Sequence, residues 1–219
     1  MLLDLFFPRR CVVCALPGAT LCGGCAADLP VLSSPLCSRC GAPTAWPVER
    51  CRECSGRRLA FASARAAVEY DDAVRALVSA WKERGLRRIA GLAASIMTDV
   101  IPQPAAQLIA FVPADGDRSL TRGHHPPERL ARELGRLWGL PVQPLVQRTR
   151  PLRPQRGLSR VERRRNVRGA FRGAPCRGRV LLVDDVYTTG STVAAAASVL
   201  RAAGAASVDV VTFARAARR

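Results

Sequence analysis

Residues 180–192 read VLLVDDVYTTGST. Four apolar residues run into two adjacent carboxylates, Asp184 and Asp185, and these into a turn carrying Thr188, Thr189, Gly190, Ser191 and Thr192. A short apolar run reads as a buried strand, and the small-residue turn after it as the entry to a helix. In open α/β sheets, ligands bind beyond the carboxyl ends of strands, where loops lead into helices. The free N–H groups and the dipole at a helix start suit a phosphate. Gly190 lets the backbone come close to such an anion, and the four hydroxyls add donors. Carboxylates beside a phosphate repel it unless they hold something else: sugar hydroxyls, or a Mg²⁺ that also touches phosphate oxygens. A phosphorylated ribose meets both demands. Neither GxxxxGK[ST] nor GxGxxG occurs, which argues against a P-loop or dinucleotide fold.

A second constellation lies near the N-terminus. Eight of the nine cysteines form four C-x2-C pairs: Cys11 and Cys14, Cys22 and Cys25, Cys37 and Cys40, Cys51 and Cys54. Each pair can offer two thiolates to one metal, and two pairs complete a tetrahedral site, so four pairs predict two Zn²⁺ ions. The intervening loops are 7, 11 and 10 residues long. Both sequential pairing and cross-braced pairing are geometrically possible; shorter loops close at lower entropy and favour the sequential one. With four thiolates per ion no coordination position stays open, so the metals are structural. Disulfides are the competing reading, disfavoured because nothing in the sequence signals export.

The elements that must position these groups alternate along the rest of the chain. Residues 61–70 read as a strand. A helix capped by Asp71 or Asp72 runs through Trp81, and a second covers 87–100. A buried strand at 107–112 ends at Pro113, and a helix follows over about 127–137. Residues 142–146 and 180–183 read as strands, 191–203 as a helix stopped by Gly204, and 208–213 as a last strand. Alternating strands and helices predict a mainly parallel α/β sheet covered on both faces. The division expected is a cysteine-rich module over 1–58 and an α/β domain over 59–219. The chain has 219 residues and a net charge of +17, and of its 34 basic residues only Lys82 is a lysine. That excess suits a polyanion partner, although an arginine-heavy, Ala- and Gly-rich composition also produces it without selection for binding. The apolar start, MLLDLFFP, lacks a basic n-region and carries Asp4, so it reads neither as a signal peptide nor as a membrane span; a cytoplasmic protein is expected.

The VLLVDDVYTTGST stretch resembles the phosphoribosyl-pyrophosphate (PRPP) motif of type I phosphoribosyltransferases. The resemblance implies that Asp184 and Asp185 bind the ribose hydroxyls together with Mg²⁺, and that residues 188–192 wrap the 5′-phosphate. A zinc ribbon first and this motif last resembles the ComF family, associated with competence and DNA uptake, over nearly the whole chain. Ala80-Trp81-Lys82 with Gly85, Val112-Pro113, Arg122-Gly123, and Gln155, Leu158, Arg163, Asn166 and Phe171 are similar to further family positions. Where the family shows Phe-Asn-Gln after Arg-Gly, this chain has His124-His125-Pro126. The fold implied is type I phosphoribosyltransferase-like with an N-terminal double zinc ribbon. The activity implied is phosphoribosyl transfer to a nitrogen nucleophile with release of pyrophosphate, Lys82, Arg122 and Arg163 lying towards the leaving group.

Residues 148–179 hold twelve arginines against one acid, Glu162. Guanidinium groups suit a pyrophosphate leaving group, and twelve exceed what one pyrophosphate needs, so single-stranded DNA is a second candidate ligand. Only Phe171 interleaves, which gives no base-stacking platform. His124 and His125 read as loop residues and Cys176 as an incidental thiol. Against an enzyme stands a non-catalytic reading: a PRPP or nucleotide sensor, or a DNA-binding protein, on the same fold.

Overall fold

The computed structural model of the chain describes residues 9–114, 125–150, 162, 167 and 169–216. After a five-residue helix α1 (Gly23–Ala27) in the cysteine-rich segment come β1 (Ser63–Glu69), α2 (Asp72–Lys82) and α3 (Ile89–Val100). Then follow β2 (Leu108–Phe111), α4 (Pro126–Trp138), the short strands β3 (Val146–Arg148) and β4 (Phe171–Gly173), β5 (Arg179–Tyr187), α5 (Ser191–Ala202) and β6 (Ser207–Arg215).

Four strands form one sheet in the order β1-β6-β5-β2, every neighbouring pair parallel. The expected parallel sheet is therefore present, with helices on both faces and the cysteine-rich module at the N-terminal end of the chain. Two elements differ from expectation. Residues 142–146 give only a parallel bridge from Val142 to Ile109 before β3 pairs antiparallel with β4. The segment containing β4 has no alternating pattern and was not expected to form a strand. In addition, β5 runs four residues beyond Val183, so Asp184 and Asp185 lie inside its last turn of pleat rather than after it.

Local sequence explains the helices. Asp71 accepts the Val74 N–H at 2.8 Å and so caps α2, a contact worth about 1 kcal/mol. Pro126 and Pro127 open α4, where the missing N–H groups would have had no intrahelical partner, and Gly139 closes it in the left-handed conformation.

Two cores result. On one face α2, α3 and α4 pack Trp81, Leu77, Ile89, Met97, Leu130 and Leu134 onto Leu181, Val183 and Phe213. On the other, α5 packs Val193, Ala196, Ala197 and Leu200 onto Val180, Leu182 and Val210. The connection after β2 thus runs outward over the first face to Val142, and that after β5 runs the other way over the second. Strand order reverses between β2 and β5, which makes their carboxyl ends the switch point at which such sheets bind ligands. Among the described residues, no helix is long and apolar enough to cross a membrane.

Candidate functional site

Asp184 and Asp185 sit at that switch point with relative exposures of only 9% and 7%. The regular register joins Asp184 to Thr212 and Val186 to Ala214. The Asp185 N–H is instead donated to Asp184 Oδ1 at 2.9 Å, which loosens the ladder at the strand end. Burial and the neighbouring charge of Asp185 push the Asp184 carboxyl up to about 7, against the pull of Lys82.

Lys82, the last residue of α2, donates from Nζ to Asp185 Oδ1 at 2.7 Å. Burial alone would draw its ammonium down; the charge of Asp185 and the hydrogen bond to it outweigh that and hold it above its ordinary value. The one lysine of the chain is thus spent on the acid pair. Arg148 donates to the carbonyls of Pro113 and Ala114, both at 2.9 Å, and stacks 5.2 Å over Phe171. It pins the chain leaving β2 beside the site.

The phosphate-type turn follows directly. Gly190 occupies the N-cap of α5 at φ +70°, where an L-residue is strained, and a Cβ there would collide with Tyr187 Oη. Gly190 has no side chain with which to cap α5. Thr189 Oγ1 and Ser191 Oγ lie 2.8 Å apart, and the Ser191 N–H donates to Thr189 Oγ1 at 3.3 Å. Thr188, Thr189 and Thr192 are half-buried, and Ser191 is buried. A cleft of about 410 Å³, lined in part by Arg57, Arg58, Ser191 and Ala194, opens beside the turn. Two hard carboxylate donors next to a helix start fit a divalent cation or sugar hydroxyls on one side and phosphate on the other.

Arg122 and Arg163 lie outside the described residues, as do Gly123, His124 and Asn166. His125 lies in non-helical backbone, as expected, and its ring is packed. It precedes α4, its ring packs edge-on against Phe111 at 5.5 Å, and Nδ1 lies 3.4 Å from Glu128 Oε2. Burial holds the imidazole below its ordinary value, since the contact with Glu128 does not offset it. Nothing in the local sequence signals this, because it is β2 that supplies the packing partner.

The cysteines assemble into two tetrads, Cys11, Cys14, Cys22 and Cys25, and Cys37, Cys40, Cys51 and Cys54, the ligand atoms of each lying within 4.8 Å of one another. Pairing is therefore sequential. Sulfur separations of 3.6 Å (Cys14 to Cys22), 3.7 Å (Cys37 to Cys54) and 3.5 Å (Cys40 to Cys51) approach the edge of a zinc tetrathiolate, about 3.8 Å for bonds of about 2.3 Å. Without a cation four such thiols cannot all ionise: contacts with Cys22 and Cys14 push Cys25 up to about 12. Both tetrads fit one structural Zn²⁺ each.

Comparison with known proteins agrees. Residues 2–55 match the double zinc ribbon domain family. Competence protein F of Haemophilus influenzae is 29% identical over 96% of this chain and 99% of its own length. The DNA utilization protein YhgH of Salmonella typhimurium is 32% identical over 94% of this chain and 96% of its own length. The chain belongs to the ComF family. Among solved structures it is similar to the orotate phosphoribosyltransferase of Aeropyrum pernix (26% identity, 67% of each chain, TM-score 0.36). An adenine phosphoribosyltransferase matches at 14% identity over 64% of this chain and 75% of that one, with a TM-score of 0.34. Those overlaps are loose; ComF membership stands on the full-length relatives, and the α/β class on the sheet order.

Proposed function

We propose that this ComF-family chain binds PRPP at the carboxyl end of β5 and transfers its phosphoribosyl group to a nitrogen nucleophile. The observation that carries the reading is the juxtaposition of a buried acid pair with a glycine-opened helix start, Gly190 lying three residues beyond the end of the strand. In this reading residues 188–192 hold the 5′-phosphate through backbone amides and hydroxyls, and Asp184 and Asp185 hold the ribose 2′ and 3′ hydroxyls. The same carboxylates hold Mg²⁺, which when bound supplies charge neutralisation for the pyrophosphate. The nitrogen lone pair forms the new bond to ribose C1 as the C1–O bond breaks. The electron pair leaves with pyrophosphate, and the nitrogen's proton passes to solvent or a nearby base. Lys82 holds the Asp185 carboxylate in place through its 2.7 Å hydrogen bond, while Arg122 and Arg163 are the candidates for stabilising the leaving group. Tetrathiolate sites suit a reducing compartment, so we assign the protein to the cytoplasm.

A second reading is favoured by the names of the relatives, competence and DNA utilization, and by the twelve arginines of residues 148–179. In it the same PRPP site serves as a sensor and the arginine-rich segment grips single-stranded DNA in an uptake pathway. Titration of PRPP with and without Mg²⁺, on the parent and on Asp184→Asn/Asp185→Asn, tests the common core. Mg²⁺-dependent binding abolished by the double variant is expected, and a parent that ignores PRPP overturns both readings. Pyrophosphate release across a panel of bases and amines then separates them, an enzyme releasing it and a sensor not.

A further inference from the structure

The two cysteine tetrads serve opposite faces of the sheet. Cys11, with Leu21 and Leu29, joins the core of α2, α3 and α4, whereas Cys37, Cys40 and Cys54 join the core of α5 and Tyr187. Only the second core contains the residues beneath the phosphate-type turn.

Two arginines connect that second tetrad to the turn. Arg215, at the end of β6 and 3% exposed, donates from Nη1 to the Cys40 carbonyl and from Nη2 to Glu53 Oε2, both at 2.7 Å. Glu53 stands inside the Cys51–Cys54 knuckle. The same guanidinium lies 4.6 Å over the ring of Tyr187. Tyr187 is the floor of the turn: Phe61 holds its ring edge-on at 6.4 Å, and Gly190 sits against its hydroxyl too closely for any Cβ. The second connection is direct. Arg57 follows the last ligand by three residues, its N–H bonds the Cys54 carbonyl at 3.1 Å, and its Nη2 donates to the Thr189 carbonyl at 2.7 Å. A donor fixed on the Thr189 carbonyl sets the plane of the following peptide, and with it the direction of the Gly190 N–H. Gly41, at φ +68°, brings the second tetrad against the backbone of β1 so closely that a Cβ would strike the Ala64 carbonyl. The tetrad is thus seated on the sheet that carries the turn.

We infer that Arg57 and Arg215 are positioning residues that couple metal ligation at the second tetrad to anion binding at residues 188–192. The first tetrad has no such connection to the turn among the described contacts. The inference rests on the PRPP reading for its ligand, but the coupling itself is a property of the chain. Zinc at Cys37, Cys40, Cys51 and Cys54 fixes the knuckle that carries Glu53 and leads into Arg57. Those side chains fix Tyr187 and the Thr189 carbonyl, and these aim the amides. Loss of that metal, or of Arg57 alone, leaves the acid pair intact and misdirects the phosphate donors.

The test uses the full zinc-loaded chain and the variants Arg57→Ala, Arg57→Lys, Arg132→Ala and Cys54→Ser. Arg132, an exposed residue of α4 paired with Glu128, is the control arginine. Three quantities are read: zinc per chain, amide hydrogen exchange across residues 187–193, and affinity for ribose 5-phosphate and for Mg²⁺·PRPP. R57A is expected to keep both zinc ions, to speed exchange in that segment at least tenfold, and to weaken both ligands by about tenfold; R132A changes neither. R57K restores part of the protection through its single ammonium donor. C54S, which binds one zinc, shows the same local exchange if it folds, and R57A carries the test if it does not. Unchanged exchange and affinity in R57A overturn the coupling while leaving the PRPP reading intact. Faster exchange in R57A, with a parent that binds neither ligand, overturns the PRPP reading while leaving the coupling intact.

Discussion

Replacing Asp184 by Asn tests the central electrostatic claim, that this carboxyl is held where its charge is unwelcome. Its value is pushed up to about 7 from an ordinary 3.8 by burial and by Asp185. Between those two values the folded chain keeps a proton that the unfolded chain has released, so stability falls as pH rises through the window. At about 1.4 kcal/mol per pH unit, the rise from 3.8 to about 7 amounts to roughly 4 kcal/mol, fully present above pH 7. At pH 5.5 only the part between 3.8 and 5.5 applies, about 2 kcal/mol. Asn has the same shape, carries no charge, and its Oδ1 can still accept the Asp185 N–H. Asp184→Asn is therefore expected to be more stable than the parent, and its advantage to grow by about 2 kcal/mol from pH 5.5 to pH 8. Urea unfolding of both zinc-loaded proteins at the two pH values measures this directly. A constant advantage, or a less stable variant at pH 8, refutes the reasoning.

Three further outcomes follow from the same geometry. Because Asp184 keeps its proton up to about pH 7, Mg²⁺·PRPP binding at pH 6.5 is expected to expel up to one proton and to tighten towards pH 8. Calorimetry in buffers of different ionisation enthalpy reads the proton count, and a count of zero contradicts ligation by that carboxylate. Lys82→Met leaves Asp185 buried without its 2.7 Å partner. Since the Lys82 side chain is 31% exposed, the loss should fall below the range for a fully buried pair, at about 1–3 kcal/mol; thermal unfolding checks it, and an unaffected melting point sinks the assigned role. Gly190→Ala combines a left-handed backbone with a collision on Tyr187 Oη, and should lower stability by at least about 1 kcal/mol. The same variant is expected to weaken ribose 5-phosphate binding tenfold or more, and parent-like affinity would show that the turn does not hold phosphate.

Contiguous chemistry was readable from the residues alone. The acid pair, the hydroxyl turn and Gly190 lie within nine positions, so their juxtaposition is a matter of one strand followed by one helix. The C-x2-C spacing likewise states its own ligand chemistry, because a knuckle is a local structure, and capping by Asp71 needs only three residues of chain. The pairing of the knuckles stayed open until the fold brought each tetrad together, since both arrangements close acceptable loops. What joins the site to its surroundings was invisible in the sequence. Lys82 meets Asp185 across 103 positions, Arg57 meets Thr189 across 132, and Arg215 meets Cys40 across 175. No local pattern encodes such pairs. They exist because β1, β6 and β5 lie side by side and the helices pack on opposite faces, so it is burial against distant elements that decides which charges are neutralised and which carboxyl keeps its proton. The burial of His125 against Phe111 has the same origin.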